Sequence, residues 1–119
     1  MAAPASLDEL RAELGGAAVL TEADGVERYV VPARGAAGVA EAVVRPASVD
    51  HVRQVVAWAR RHSVRLIPQG TNTGLVGAST PGPAGEVVLS LERLAPDPII
   101  DPVDRTAVVG AGTRLSTLN

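Results

Sequence analysis

Cysteine, lysine and phenylalanine are absent from these 119 residues, and tryptophan and tyrosine occur once each. Without cysteine the chain has no disulfide, no thiolate nucleophile and no thiolate for an iron–sulfur cluster, a composition compatible with the cytoplasm. Without lysine it cannot complete the G-x-x-x-x-G-K-[ST] loop of P-loop NTPases. Every positive charge is an arginine, 11 against 13 acidic residues, and the net charge of -2 predicts neither a nucleic-acid nor a membrane-surface partner. No apolar run approaches membrane-spanning length, so no integral membrane segment is expected. Met1-Ala2-Ala3-Pro4-Ala5 lacks the basic flank of a signal peptide and runs into a charged helix. With few aromatics and 46% hydrophobic residues, the core must come from Val, Leu, Ile and Ala, at a length that suits one small domain.

What the chain does have is a turn-rich stretch, Ile67 to Pro81, that carries Gly70, Gly74 and Gly77 together with Thr71, Asn72, Thr73, Ser79 and Thr80. Glycines there permit positive φ and close approach of a ligand to the backbone. Converging N–H groups and hydroxyls can bind an anion such as a nucleotide pyrophosphate. The same composition also serves an awkward turn that binds nothing. The glycines are four and then three apart, so the G-x-G-x-x-G dinucleotide fingerprint is absent.

The surrounding pattern places this stretch. Ser6-Leu7-Asp8-Glu9 reads as a capping box with Ser6 as N-cap, predicting a short helix to about Leu14 that Gly15-Gly16 stops. Val19-Leu20-Thr21 reads as briefly extended, and residues 22–38, rich in Gly, Ala and Pro, read either as a solvated loop anchored by Tyr29 or as a segment in contact with ligand. Ala42-Val43-Val44 before Arg45-Pro46 predicts a strand. Ser48 then caps a helix whose Val49, Val52, Val55, Val56 and Ala59 recur at helical spacing. Val64 to Pro68 predicts a second strand, completing a βαβ crossover that should be parallel and right-handed. The glycine loop therefore leaves the carboxyl end of a strand, where open α/β sheets bind ligands. Glu86 to Ser90 predicts another strand, Leu91 to Leu94 one helical turn, and Ile99 to Asp101 with Thr106 to Gly110 a hairpin.

Pro68-Gln69-Gly70-Thr71-Asn72-Thr73-Gly74-Leu75-Val76-Gly77 resembles the flavin-binding domain of FAD-linked oxidases of the vanillyl-alcohol oxidase/PCMH type. It is most similar to the D-2-hydroxyacid branch: D-2-hydroxyglutarate dehydrogenases, D-lactate dehydrogenases and the glycolate oxidase flavoprotein subunit. The typical text there is P-Q-G-G-N-T-G-L-V-G-G-S-x-P, wrapped around the FAD pyrophosphate. Thr71 and Ala78 stand where glycine is usual, and a β-branched Thr71 would be strained at positive φ. Tyr29 with Arg34-Gly35, and residues 87–112, also resemble the family's text.

The resemblance implies an α/β (α+β) fold: the first subdomain of a PCMH-type FAD-binding domain with a βαβ unit, plus the start of the second subdomain. Residues 1–38 would be an N-terminal helix and lead-in segment, and 39–119 the N-terminal part of the domain. It implies FAD contacts at Pro68, Gln69, Gly70, Thr71, Asn72, Thr73, Gly74, Leu75, Gly77, Ala78 and Ser79, and at Ala111 and Gly112 in a second turn. FAD should be noncovalent, because a histidine occupies the Asn72 position in covalent relatives. The catalytic base, substrate arginines and metal-binding histidines of the family lie beyond the matched part, so no catalytic residue and no metal ligand is assigned. His51 and His62 fall on the predicted helix as surface residues, Trp58 is a core or half-buried helix residue, and Asp101 and Asp104 make turn hydrogen bonds. The implied function is the FAD-binding portion of an oxidoreductase acting on a D-2-hydroxy acid. The alternative is a noncatalytic interaction module or inactive remnant that needs a second chain for the missing half.

Overall fold

The first helix, α1 (Pro4–Leu14), starts two residues before the capping box predicts. Proline is well suited to the first helical position, where its missing N–H has no intrahelical partner to lose. Ser6 therefore lies inside the first turn and is not an N-cap; it is buried. Gly15 ends the helix at φ 95, its N–H donating to the Arg11 carbonyl at 2.8 Å. The computed structural model describes residues 4–74, 77–82 and 86–118.

After a 3₁₀ turn, Gly16–Ala18, strand β1 (Val19–Leu20) leads into helix α2 (Ala23–Val30). This helix corrects the expected loop over residues 22–38. Val26 and Tyr29 are buried and Val30 is half-buried, an amphipathic stripe at i, i+3 and i+4. The stripe covers only two turns, and Gly25 and the flanking Gly, Ala and Pro mask it in the sequence.

Strand β2 (Ala40–Val44), helix α3 (Val49–Arg61) and strand β3 (Leu66–Gln69) form the predicted crossover. Ser48 Oγ accepts the His51 N–H at 3.2 Å, the expected cap. However, β2 and β3 are not neighbours. Strand β4 (Glu86–Ser90) inserts between them, parallel to both, and the sheet order is β1-β2-β4-β3 with β1 antiparallel at one edge. Val87 through Ser90 are all buried, as a central strand covered on both faces requires.

Side chains alternate between the two faces. On one face, Ala42, Val44, Val87 and Leu89 pack with α1 and α3 through Leu7, Leu10, Val55 and Trp58. Trp58 is fully buried, as expected, and its Nε1–H donates to the Ser6 carbonyl at 2.7 Å. On the other face, Val43 and Val88 meet Val26 and Tyr29 of α2.

Beyond β4 the Leu94 N–H donates to the Leu91 carbonyl at 2.9 Å, closing a turn where a helical turn was expected. Strands β5 (Ile99–Asp101) and β6 (Thr106–Val108) then pair as the predicted antiparallel hairpin. Asp101 Oδ1 accepts the N–H groups of Val103 and Asp104 at 2.9 and 3.0 Å, the turn role expected of it. Both hairpin strands are exposed along their length, and a single turn of helix, α4 (Leu115–Leu118), follows. Among the described residues no helix is long and apolar enough to cross a membrane.

Candidate cofactor site

The parallel strands β2, β3 and β4 share one direction, so Arg45, Gly70 and Leu91 all leave the same carboxyl edge of the sheet. Gln69, the last residue of β3, is buried and does the work of a brace. Its Nε2 donates to the Tyr29 carbonyl at 2.8 Å and to the Ser79 carbonyl at 2.9 Å. It thus joins both ends of the glycine loop to the end of α2, satisfying backbone groups from within the protein.

Among the described residues of the loop, Asn72 is left-handed, at φ 59. Asparagine tolerates this conformation better than other side chains with a Cβ. Its Nδ2 donates to the Val31 carbonyl at 2.8 Å and the Arg28 carbonyl at 3.2 Å, so it ties the loop to the last turn of α2. Thr71 is not at positive φ, and the strain anticipated there does not arise. Gly70 also lies outside the left-handed region. A Cβ on Gly70 would stand 3.4 Å from the Ala111 carbonyl oxygen, an ordinary van der Waals contact. This contact brings the two expected contact segments, the glycine loop and the 111–112 turn, side by side.

The other expected contacts are distributed around this junction. Thr71 is half-buried, Thr73, Gly74, Gly77 and Ala78 are exposed, and Ser79 is half-buried within a 3₁₀ turn, Gly77–Ser79. Pro68 is exposed within β3 opposite Leu89. Leu75 lies outside the described residues. Ala111 is exposed, whereas Gly112 is buried and its N–H donates to the Leu94 carbonyl at 3.0 Å. A Cβ on Gly112 would fall 2.1 Å from the Leu91 carbonyl oxygen, so packing alone requires glycine here.

The edge has hydrogen-bond donors to spare. Among the described residues, no backbone N–H of residues 70–74 donates to a backbone carbonyl. Thr80 Oγ1, Thr113 Oγ1 and Arg45 Nε are buried without a hydrogen-bond partner among the described residues. Unsatisfied donors and hydroxyls at a strand's carboxyl edge fit the oxygens of a pyrophosphate. A cavity of about 540 Å³ adjoins Ala111, between Ser48-Val49 and Arg93–Pro96. A second, of about 460 Å³, lies between α2 and the start of β2 and touches none of the expected contacts.

Sequence reasoning missed a charged cluster beside the loop. The Tyr29 hydroxyl donates to Glu92 Oε1, Arg28 donates to the Tyr29 hydroxyl and to both Glu92 oxygens at 3.0 and 3.1 Å, and Arg45 Nη1 lies 3.7 Å from Glu92. Burial, followed by the hydrogen bond to the Glu92 carboxylate and its charge, pushes the Tyr29 phenol pKa up. The partners are 63 and 64 residues apart, beyond any local pattern. The two histidines are not plain surface residues. His62 caps α3 and meets Glu9 Oε2 at 3.0 Å, and His51 is half-buried with Nδ1 unpartnered among the described residues. No cluster of three metal-ligating side chains occurs among the described residues.

Residues 40–119 match the FAD binding domain family. D-2-hydroxyglutarate dehydrogenase of Stutzerimonas stutzeri is 36% identical over 113 residues, which cover 94% of this chain and 24% of that protein. D-lactate dehydrogenase of Archaeoglobus fulgidus is 32% identical over 77 residues, 65% of this chain and 17% of that protein. Among solved structures, p-cresol methylhydroxylase with substrate bound aligns at a TM-score of 0.83 and 27% identity, covering 96% of this chain and 23% of the other. The chain thus spans about a quarter or less of the length of these proteins. It belongs to the FAD binding domain family and is similar in sequence to D-2-hydroxyglutarate and D-lactate dehydrogenases.

Proposed function

We propose that this chain is the N-terminal FAD-binding portion of an oxidoreductase acting on a D-2-hydroxy acid of the 2-hydroxyglutarate, lactate or glycolate type. The observation that carries the reading is the juxtaposition of Gly70 with Ala111 at the carboxyl edge of the sheet, beside loop amides with no backbone acceptor. The pyrophosphate would be held by residues 70–74 and 77–79, with Ala111 closing the site from the second turn. Gln69 and Asn72 do not spend their side-chain amides on ligand; they hold the loop against α2. Gly112 acts by letting the second turn pack against Leu91 and Glu92. Asn72 in place of a histidine, and no cysteine anywhere, leave neither residue type in this loop for a covalent flavin link, and binding is noncovalent. When bound, FAD supplies a hydride acceptor for oxidation of the carbinol carbon. Residues 1–38 frame the unit, and 39–119 form the FAD-binding part.

A second reading is favoured by the hairpin. Ile99, Ile100, Val103 and Val108 are all more than half exposed, an apolar surface that a second chain supplying the remaining half-domain would cover. The test of the first reading is an absorbance spectrum of the purified protein, then FAD titration followed by flavin fluorescence. Saturable binding that weakens on substitution of Thr73 and Gly74 supports it. Failure of a demonstrably folded protein to bind FAD overturns autonomous binding and favours the partner-dependent module.

A further inference from the structure

Glu92 sits where three separate parts of the site meet. Its carboxylate, only 17% exposed, engages Arg28 and Tyr29 from α2 and Arg45 from the exit of β2. Its own backbone lies against the second turn, where a Cβ on Gly112 would be 2.8 Å from Glu92 Cα. Helix α2 therefore faces two networks at its last turn. The Arg28 and Tyr29 side chains bind Glu92, while the Arg28, Tyr29 and Val31 carbonyls accept from Asn72 and Gln69 of the loop.

We propose that Glu92 is a positioning residue for the glycine loop: by latching α2 to the ends of β2 and β4 it fixes the carbonyls on which Asn72 and Gln69 hang. The proposal rests on the FAD-binding reading for its consequence, but the latch itself is a property of the protein alone. Three features of α2 make such a latch necessary. It has eight residues, too few to be stable in isolation. Its N-cap, Glu22, makes no side-chain capping bond. Its apolar contact with the sheet is small: Val26 and Tyr29 on Val43 and Val88, with half-buried Val30, Leu20 and Ala40 at the margin. Charge-assisted hydrogen bonds to a poorly exposed carboxylate supply the orientation that packing does not.

The latch also restrains two arginines. Arg28 and Arg45 both spend charge on Glu92, although Arg45 Nε keeps no hydrogen-bond partner among the described residues. This gives the proposal a sharp alternative. If Glu92 merely quenches two would-be phosphate ligands, its removal will tighten FAD binding.

The test is ¹⁵N NMR of the 12.1 kDa chain without cofactor, followed by FAD titration of the same samples. In Glu92→Gln, the side-chain amide signals of Asn72 and Gln69 should move toward those of free amides. The Trp58 indole N–H, bound to the Ser6 carbonyl across the other face, should not move. FAD affinity should fall about tenfold, and Glu92→Gln should add little to Asn72→Ala, because both act through one contact chain. Glu92→Asp should recover part of the loss. Tyr29→Phe, which removes one hydroxyl and keeps the ring, decides the question if Glu92→Gln fails to fold. Unchanged Asn72 and Gln69 signals, or tighter FAD binding, would overturn the proposal. Should the folded wild type bind no FAD, the functional reading falls, while the amide signals still decide whether the latch exists.

Discussion

The two faces of the sheet are built on different principles. One is covered by α1 and α3 and closed by large buried side chains, with Trp58 fully enclosed between Leu10, Val55 and the strands. The other is covered by the short α2, whose few apolar contacts are supplemented by Glu92, Gln69 and Asn72. Packing fixes the first face wherever its residues find volume to fill. Directional hydrogen bonds fix the second, and these set angles as well as proximity. The division suits a cofactor domain: the packed face provides stability, and the hydrogen-bonded face holds the loop in one geometry. Substitutions should therefore separate into those that unfold the protein and those that disturb the loop in a folded one.

Trp58→Ala should have the largest effect. It removes a fully buried ring and the indole N–H that donates to the Ser6 carbonyl, costing about 3–5 kcal/mol in denaturant unfolding. For a small domain that is much of the total stability. A loss under about 1 kcal/mol would mean that the packed face is not the source of stability.

Gly112→Ala tests where the two regions meet. The new methyl would fall 2.1 Å from the Leu91 carbonyl oxygen and 2.8 Å from Glu92, both backbone positions that cannot move aside cheaply. Overpacking of this kind costs about 1–3 kcal/mol. Because the turn also adjoins Gly70 through Ala111, FAD binding should fall along with thermal stability. Gly77→Ala is the contrast, since a Cβ there meets nothing within 4 Å among the described residues. Its stability should change little, so any loss of FAD binding would report ligand contact directly.

Asn72→Ala belongs to the hydrogen-bonded face alone. It deletes two bonds to α2 carbonyls and leaves a non-glycine residue without a helpful side chain at φ 59. The cost should be about 1–2 kcal/mol, read as weaker FAD binding with the Trp58 environment unchanged. Equal losses in the two readouts would erase the distinction between the faces.

The packed face was largely legible in the sequence, and the hydrogen-bonded face was only half so. Helix α3, its Ser48 cap and the buried Trp58 follow from local periodicity, and the β5–β6 hairpin from its turn chemistry. The insertion of β4 between β2 and β3 could not be read, because strand order depends on pairing between distant segments. The glycine loop was conspicuous, yet the left-handed conformation expected of its glycines is taken by Asn72. Helix α2 was hidden by Gly25 and by its brevity, and the Glu92 cluster hid with it. Tyr29 and Glu92 mean little until the fold brings them together.

The smallest expected effect lies on the packed face and is a pH dependence. Hydrogen bonds from Arg61 at 2.7 Å and His62 at 3.0 Å lower the pKa of Glu9, linking α1 to the end of α3. A carboxylate whose folded pKa lies below its unfolded value contributes stability that is fully present above the unfolded value. That contribution is lost as pH falls through the folded pKa, so the window opens near the ordinary glutamate value of about 4.3 and extends downward. Glu9→Gln should remove this component, making the acid limb of the stability profile shallower while leaving the neutral region nearly unchanged. The side chain is 40% exposed and screened, so the difference should be small and should shrink further in high salt. A mutant profile as steep as that of the wild type below that value would show that Glu9 adds nothing to the hold on α1 by Leu7, Leu10 and the Trp58–Ser6 hydrogen bond.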